Sequence, residues 1–417
     1  MEHDFMEHDF SFGIEEEYFL VDAETKALAR AMPAPFLEAA KLAAKRACGG
    51  QVTCEMLQAQ IEVATAPHTD MKAAHAELRE LRRTVAGIAA QHGLSIIAAG
   101  THPTASGFEA RQTESERYDA VVDDLQMIAL RNALCGMHVH VELPDPDARV
   151  SVMTRMLPFL PLFIALATSS PFWHSRPTGL MGYRLAAYDE EPRTGMPELF
   201  HDKKEFDAYV AALVRAGVIT DASFIWWAMR PSLAHPTLEL RAPDSCTLIE
   251  DSIAIAALFR VLARRLYREP RLNADLGPVG RAIAVENKWR AQRYGVHGTF
   301  VTEDGAVTIR EMIAQVIAET AADAAVLRCT AELERCRTIA DVGTSADAQL
   351  ALYEAQSRTL GDAAALAAVN RWLAATTVGE AMGEGAPASE AASAVAATAG
   401  DTVRGTAALS FERHGRT

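Results

Sequence analysis

Four short stretches of the chain carry acidic, amide or imidazole side chains at every second position. They are Glu15 and Glu17; Gln58, Gln60 and Glu62; His138, His140 and Glu142; and Glu239 with Arg241. In a β-strand, side chains two residues apart point to the same face of the sheet. Each stretch would therefore have one apolar face and one face of metal-ligand or charged groups.

If these polar faces share one sheet, their carboxylates repel one another and are costly to desolvate without a cation among them. Oxygen-rich sites suit hard divalent ions such as Mg2+ or Mn2+, which also bind phosphate oxygens. Arginines on neighbouring elements could then hold phosphates or a substrate carboxylate through bidentate hydrogen bonds. The candidates are Arg184, Arg230, Arg241, Arg290 and Arg293.

Each of these motifs has an ordinary structural explanation when it is taken alone. A Glu-x-Glu pair is often a solvated strand edge, a His-x-His pair is often packed or exposed, and Glu239 with Arg241 could be a simple ion pair. The metal-site prediction therefore depends on the co-occurrence of the motifs. The sequence contains no GxxxxGK[ST] loop and no GxGxxG turn after a strand, so any nucleotide would bind without a P-loop.

The elements that must position these side chains predict an α+β fold, with an antiparallel sheet, helices behind it and the chemistry in front. Strands are predicted at residues 12–21, 51–66, 94–100, 137–143, 224–230 and 237–242. Helices are predicted at residues 71–92, 115–134, 148–168, 203–216, 249–267, 308–337 and 346–375. The spacing between strands is too uneven for a repeating βαβ fold.

Composition and charge limit the possible domain organisation, partners and cellular location. Residues 12–376 are predicted to be one catalytic domain, residues 1–11 a disordered leader and residues 377–417 a mobile low-complexity tail. A net charge of −15 argues against nucleic acid or an anionic membrane as a partner. Six cysteines without CxxC spacing, and an N-terminus without an apolar signal segment, favour a cytoplasmic protein. The most apolar stretch, residues 156–167, is too short to span a bilayer.

Eight motifs, in their order along the chain, resemble the glutamate–cysteine ligase type 2 family of carboxylate-amine ligases, which are relatives of glutamine synthetase. They are GIEEEYFLVD, EMLQAQIEVAT, AAGTHP, ERYD, CGMHVHVELPD, PFWHSRPTGLMGYR, WWAMRPSLAHPTLELRAPDS and NKWRAQRYG, within residues 12–295. The resemblance implies a curved antiparallel sheet flanked by helices. It also implies ATP and Mg2+ (or Mn2+), an acyl phosphate made from a carboxylate, and an amine that attacks it. Glutamate and cysteine are the default substrates.

The resemblance also assigns roles to single residues. The expected metal ligands are Glu15, Glu17, Glu55, Glu62, His138 and Glu239. The expected catalytic residues are Arg230, Arg241 and Arg293, and the expected nucleotide-binding residues are His140, Asn287, Arg241 and Arg293. The chain departs from the family pattern in its tail beyond about residue 376 and at Glu142, where a small residue is more usual.

Two other functions stay open from the sequence. A metal-dependent hydrolase could use the His-x-His pair and the carboxylates to hold Zn2+, and bound zinc would favour it. A binding or regulatory protein that lacks turnover would bind ATP without consuming it. In the ligase interpretation the partners are a small carboxylate and a small amine, and a homodimer is expected only because two-fold assemblies are common.

Overall fold

A computed structural model of the chain describes residues 8–105, 110–131 and 133–380. The strands within these residues are β1 (Phe12–Asp22), β2 (Gln51–Cys54), β3 (Gln60–Ala64), β4 (Leu94–Ile97), β5 (Met137–Glu142), β6 (Phe172–Trp173), β7 (Arg176–Pro177), β8 (Met229–Pro231), β9 (Thr237–Leu240), β10 (Thr299–Thr302) and β11 (Gly305–Thr308). Seven of the described strands form the main sheet, in the order β2-β3-β1-β5-β9-β8 with β4 paired to β1. Every pairing in it is antiparallel.

The helices cover most of the remaining described chain. They are α1 (Phe36–Ala47), α2 (Met71–Gln91), α3 (Glu116–Leu125), α4 (Met127–Leu130), α5 (Pro146–Met156), α6 (Leu160–Ala167), α7 (Arg184–Tyr188), α8 (Lys203–Arg215), α9 (Ile249–Arg268), α10 (Pro278–Tyr294), α11 (Ile309–Glu319), α12 (Ala321–Leu327), α13 (Thr330–Val342), α14 (Ser345–Leu360) and α15 (Asp362–Thr377). Short 3-10 helices lie at Leu157–Phe159, Ala222–Phe224 and Gly295–His297.

The back of the main sheet is an apolar surface covered by helices. Ile14, Tyr18, Val139 and Leu240 are fully buried there, because they alternate with the polar positions along each strand. Helices α2 and α9 pack against this side of β1, and their own apolar stripes join the same core. The prediction of an antiparallel sheet flanked by helices is confirmed.

One acidic residue on this back face is buried with a partner. Glu16 is fully buried, and Arg82 of α2 donates to its two carboxylate oxygens at 2.8 and 2.7 Å. The same guanidinium donates to the main-chain carbonyls of Cys246 and Thr247, just before α9. This ion pair therefore links β1 to both helices behind it, while Glu15 and Glu17 face the other way.

Several predicted elements differ from the structure. The predicted helices 308–337 and 346–375 are divided into α11–α13 and α14–α15. Residues 51–66 form two antiparallel strands, since Leu57 leaves the sheet to bridge Gln112. The predicted helix 115–134 is interrupted at Gln126, which has a φ of 51°. The predicted strand 224–230 is extended only at Met229–Pro231, because Trp226 N donates to the carbonyl of Arg193 rather than to a neighbouring strand.

The apolar segment Pro146–Ala167 lies inside the fold. Its length and composition would suffice to cross a membrane, yet 78% of its most apolar window is buried. Pro158 and Pro161 occupy first-turn positions of a 3-10 helix and of α6, where a missing N–H is tolerated. The predicted helix 148–168 is therefore two α-helices joined by a 3-10 turn. All six cysteines are free thiols.

The two ends of the predicted catalytic domain also differ in detail. Phe10 is 2% exposed, and Arg260 donates to the carbonyls of Asp9 and Phe10. The described part of the predicted leader, residues 8–11, thus packs on the core. At the other end, α15 continues to Thr377. Residues 1–7 and 381–417 lie outside the described part of the chain.

Candidate active site

The polar positions of the central strands lie opposite one another across the front face of the sheet. Glu17 of β1 pairs with Glu62 of β3, and Glu15 pairs with His138 of β5. Residues directly opposite in an antiparallel sheet have their Cβ atoms about 5 Å apart. The register therefore brings carboxylates from two strands and an imidazole from a third into a single cluster.

This cluster extends into a row of polar side chains across strands β9 and β8. His140 of β5 lies opposite Glu239 of β9, and Glu239 lies opposite Arg230 of β8. Arg230 binds the Glu239 carboxylate with two hydrogen bonds of 2.7 and 3.2 Å, and Arg241 binds it as well. One buried carboxylate is thus shared by two guanidinium groups.

Three overlapping groups of these side chains have the composition and spacing of metal-ion sites within the described residues. The groups are Glu15, His140 and Glu239; Glu15, Glu62 and His138; and Glu17, Glu55 and Glu62. In each group the ligand atoms lie within 4.8 Å of one another. Since Glu15 and Glu62 each belong to two groups, the ligand atoms form a continuous row. The structure therefore brings together the six predicted metal ligands and His140.

Two imidazole nitrogens of the row point at carboxylates without completing a hydrogen bond. His140 Nε2 lies 3.3 Å from Glu15 Oε1, and His138 Nε2 lies 3.6 Å from Glu17 Oε1. Both nitrogens are buried, and neither has a hydrogen-bond partner within the described residues. Burial of an unsatisfied polar atom is costly. A bound cation would satisfy both nitrogens and also the carboxylates beside them.

The carboxylates at different positions in the row have pKa values shifted in opposite directions. Burial raises the pKa of Glu55 to about 8, with a contribution from Glu17, and it also raises the pKa of Glu62 well above its ordinary value. Burial would likewise raise the pKa of Glu15, but its interactions with His138 and His140 hold that pKa far below the ordinary value. The Glu55 side is therefore the part of the row that most lacks positive charge.

Burial and neighbouring charges also shift the pKa values of the two histidines and of Glu239. Burial lowers the pKa of His138, with help from Arg241. Burial opposes protonation of His140 too, but Glu15 outweighs it and raises the pKa of His140. Burial would raise the pKa of Glu239, yet Arg241 and Arg230 hold it far below its ordinary value. Glu239 is therefore ionised at neutral pH.

The row forms the floor of a cavity of about 390 Å3, within the usual range for a small-molecule site. Further lining residues outside the predicted site are Met56, Gln60, Arg117, Tyr118, Val121, Leu134, Arg184, Tyr188, Glu191, Ser223, Trp226, Ser232, Ala234 and His235. Arg184 is held by the carbonyls of Arg241 and Pro243. Its guanidinium packs on Gly136, where any Cβ would lie about 2.6 Å from Arg184 Cζ. A side chain at this position would therefore displace the Arg184 guanidinium.

Two residues predicted to bind the nucleotide do not reach this cavity. The Asn287 side chain is buried and forms two hydrogen bonds with the backbone of Val301, at 2.9 and 2.7 Å. Arg293 is exposed, with its guanidinium 5.0 Å from the centre of the Tyr294 ring. Asn287 and Arg293 thus lie outside the lining of this cavity, and their assignment to the nucleotide stays a prediction. Helix α10, which carries both residues, instead anchors the loop before Arg184, because the Gln292 carbonyl accepts hydrogen bonds from that loop.

Several cavity residues were not singled out by type and spacing. Tyr188 ends the five-residue helix α7, Glu191 follows that helix, and Trp226 lies in an irregular segment, so no strand or helix period marks them. Glu142, which departs from the family pattern, shares a strand with the histidines but accepts a hydrogen bond from Ser11 instead. It does not line the cavity.

Comparison with known proteins agrees with this arrangement. The sequence pattern of glutamate-cysteine ligase family 2 (GCS2) matches residues 11–366. A protein of Bradyrhizobium sp. strain ORS 278 is 57% identical over 373 residues, which are 89% of each chain. A protein of Rhodospirillum rubrum is 43% identical over 383 residues, covering 91% of this chain and 98% of the relative. Both bear the name "Putative glutamate--cysteine ligase 2".

Solved structures share the fold at low sequence identity. A glutamate–cysteine ligase from Francisella tularensis in complex with AMP has a TM-score of 0.60 at 13% identity, over 96% of this chain and 95% of that chain. A bifunctional glutathione synthetase from Pasteurella multocida has a TM-score of 0.65 at 14% identity, over 88% of this chain and 52% of that chain. The present chain thus spans about half of the latter protein.

The fold and the family match together define the class of protein. An antiparallel sheet flanked by helices is the fold that the chain shares with these two solved ligase structures. The chain belongs to glutamate–cysteine ligase family 2, and it is a ligase of the glutamate–cysteine ligase type.

Proposed function

We propose that this ligase joins a carboxylate to an amine at the expense of ATP, through an acyl-phosphate intermediate, with glutamate and cysteine as its substrates. The observation that carries the proposal is the continuous row of metal-ligand groups in one cavity. Relatives named for glutamate and cysteine support the choice of substrates. The AMP complex of the Francisella protein supports nucleotide use.

The residues of the row fit divalent metal ions. Their ligands are carboxylate oxygens with an imidazole at two positions, a hard donor set that suits Mg2+ or Mn2+ better than zinc. Six carboxylates and four guanidinium groups line the cavity, so negative charge is in excess once all six carboxylates are ionised, and a bound cation favours that ionised state. When bound there, Mg2+ would neutralise phosphate oxygens and stabilise the transferring phosphoryl group.

The arginines of the cavity would orient the substrates. Arg230 is fixed by Glu239 and by the carbonyls of Ser223 and Ile225, at 2.9 and 2.8 Å. Arg241 lies between the metal row and the Tyr188 wall of the cavity. Guanidinium groups held this rigidly bind phosphate or carboxylate with little loss of side-chain entropy. We assign Arg230 and Arg241 to the phosphates and the acid substrate.

The reaction is tested by its products. Purified protein with ATP, Mg2+, glutamate and cysteine should release ADP and phosphate in step with amide. Glu62→Gln, which removes a ligand shared by two metal groups, should lower kcat/KM by at least about 100-fold, or about 3 kcal/mol of transition-state stabilisation. Glu24→Gln, at an exposed carboxylate beyond β1, is the matched control and should leave the rate unchanged.

Three results would contradict the proposal. Release of AMP and pyrophosphate would exclude an acyl phosphate as intermediate. Full activity of Glu62→Gln would exclude the metal assignment. Binding of ATP without turnover, across a panel of acids and amines, would show a binding protein instead of an enzyme.

A further inference from the structure

One carboxylate of the cavity, that of Glu191, stands apart from the metal row. Glu191 is 8% exposed and belongs to none of the metal-ligand groups within the described residues. Two of the other cavity carboxylates have fixed donors: Glu17 accepts from Gly136 N at 2.6 Å, and Glu239 accepts from Arg230. No residue in the described part of the chain donates a hydrogen bond to the Glu191 carboxylate. This carboxylate can therefore accept a hydrogen bond from a molecule bound in the cavity.

The backbone around Glu191 is held firmly. Its N–H donates to the carbonyl of Tyr188 at 3.0 Å, and its carbonyl accepts from the Thr194 hydroxyl at 2.6 Å. Two residues on, the carbonyl of Arg193 accepts from Trp226 N at 2.8 Å. Backbone hydrogen bonds therefore fix the position of the Glu191 carboxylate at the wall of the cavity. A loose loop does not explain why this carboxylate has no donor.

Glu191 lies where the main cavity meets a small side pocket. Both cavities are lined by Glu191 and Leu134. The side pocket is completed by the apolar surfaces of Ile128, Trp173 and Ala187 and by the ion pair of Arg131 and Glu190. The side pocket encloses about 10 Å3, which is close to the space needed by one water-sized group. A molecule bound at Glu191 could thus place a thiol or methyl group against apolar walls.

The charge around Glu191 suits proton exchange. Burial raises the pKa of Glu191 to about 7, although Arg193 and Arg241 act in the opposite direction. The phenol of Tyr188 is the other titratable group of this wall, and burial raises its pKa. A carboxylate that takes up a proton near neutral pH matches the requirement for a general base.

We propose that Glu191 forms the amine subsite of the ligase, where its carboxylate binds the ammonium group of a compact primary amine and takes one of its protons before attack. The proposal rests on the ligase function proposed above. An ammonium group is the donor that the unpartnered carboxylate lacks, and a compact side chain is what the neighbouring pocket admits.

The proton and electron balance of this step is complete. Glu191 takes one proton from the ammonium group, which frees the nitrogen lone pair. The nitrogen attacks the carbonyl carbon of the acyl phosphate, and the new C–N bond replaces the C–O bond to phosphate. Phosphate leaves with the electron pair of that bond and accepts a second proton from the nitrogen, so that a neutral amide and hydrogen phosphate are formed.

The test compares two nucleophiles in wild type and Glu191→Gln. Cysteine is protonated on nitrogen at neutral pH and needs a base, whereas hydroxylamine is largely unprotonated and does not. We expect Glu191→Gln to lower kcat/KM for cysteine by about 100-fold or more, and to leave hydroxamate formation within about twofold of wild type. The deficit with cysteine should shrink as pH rises, because more of the free amine is then present.

Two further variants guard against a purely structural effect. Glu191→Asp keeps a carboxylate and should fall between wild type and Glu191→Gln with cysteine. Glu198→Gln removes an exposed carboxylate of the same segment, paired with Arg281 outside the cavity, and should match wild type. Thermal unfolding of each variant reports whether the fold is intact.

The failure of this proposal is distinct from the failure of the ligase proposal. If Glu191→Gln loses amide and hydroxamate formation equally, or keeps both, Glu191 is not the base of an amine subsite. If wild type makes neither product from ATP and glutamate, the ligase function is wrong, and the assignment of Glu191 is wrong with it.

Discussion

Replacing Arg82 by methionine should be among the most destabilising single changes on the back of the sheet. Arg82 is 2% exposed and donates to both oxygens of the fully buried Glu16. It also donates to the carbonyls of Cys246, Thr247 and Thr377. Methionine fills similar space but leaves a buried carboxylate without its cation, which typically costs about 3–5 kcal/mol. Domains have about 5–15 kcal/mol of unfolding free energy in total.

The loss of stability in Arg82→Met comes mainly from the unpaired Glu16 carboxylate, and a second variant tests this contribution. Glu16→Gln combined with Arg82→Met removes both charges. The amide oxygen can still accept from Tyr18 or from Ser252, whose hydroxyls donate to different oxygens of the carboxylate, and the amide NH2 can donate to the other hydroxyl. The double variant should therefore be more stable than Arg82→Met alone.

Urea unfolding followed by circular dichroism measures these free energies. Arg83→Met is the matched control, since Arg83 is the exposed neighbour on the same helix, and its effect should stay within about 0.5 kcal/mol. The reasoning would be refuted if Arg82→Met lost less than about 1 kcal/mol, or if the double variant were less stable than Arg82→Met.

Three more predictions follow from single sites. Gly136→Ala should displace the packed Arg184 guanidinium and lower kcat/KM by at least about tenfold in the ADP-release assay; a wild-type rate would contradict the packing. Arg293→Ala should keep kcat/KM within about twofold of wild type, since Arg293 lies outside the cavity; a loss of about 100-fold would return it to the site. Burial lowers the pKa of His102 from 6.5 to about 4. Below pH 6.5 the unfolded chain binds a proton at His102, while the folded chain does so only near pH 4. The free energy of unfolding is therefore unaffected by this group above pH 6.5 and falls by up to about 3 kcal/mol as the pH is lowered toward 4. Urea titrations of wild type and His102→Gln should differ in this acid range, and identical pH profiles would contradict the assignment.

The front face of the sheet could be predicted because strand geometry has a short period. Glu15 and Glu17 on β1, and His138 and His140 on β5, are two residues apart, so their shared face follows once the strands are recognised. The opposite orientation of Glu16 follows from the same period. The identity of its partner does not, because Arg82 lies 66 residues away and only tertiary packing brings the two together.

The remaining walls of the cavity could not be predicted from spacing. Glu191 and Trp226 lie in irregular segments whose path depends on single backbone hydrogen bonds, such as that from Trp226 N to the carbonyl of Arg193. Asn287 and Arg293 show the converse case. Their motif is recognisable, but the helix that carries it supports a loop of the site, and a sequence match does not distinguish a supporting helix from one that contacts substrate.

Equilibrium binding of Mn2+, followed by the paramagnetic resonance of the free ion, tests the central claim most directly. Wild-type protein should bind Mn2+, and Glu15→Gln, which alters two of the overlapping ligand groups, should weaken binding by at least about tenfold. Glu142→Gln, on the same strand as the two histidines but outside the cavity, should bind as wild type does. Equal Mn2+ affinity in Glu15→Gln and wild type would contradict the claim that this row of side chains holds the metal.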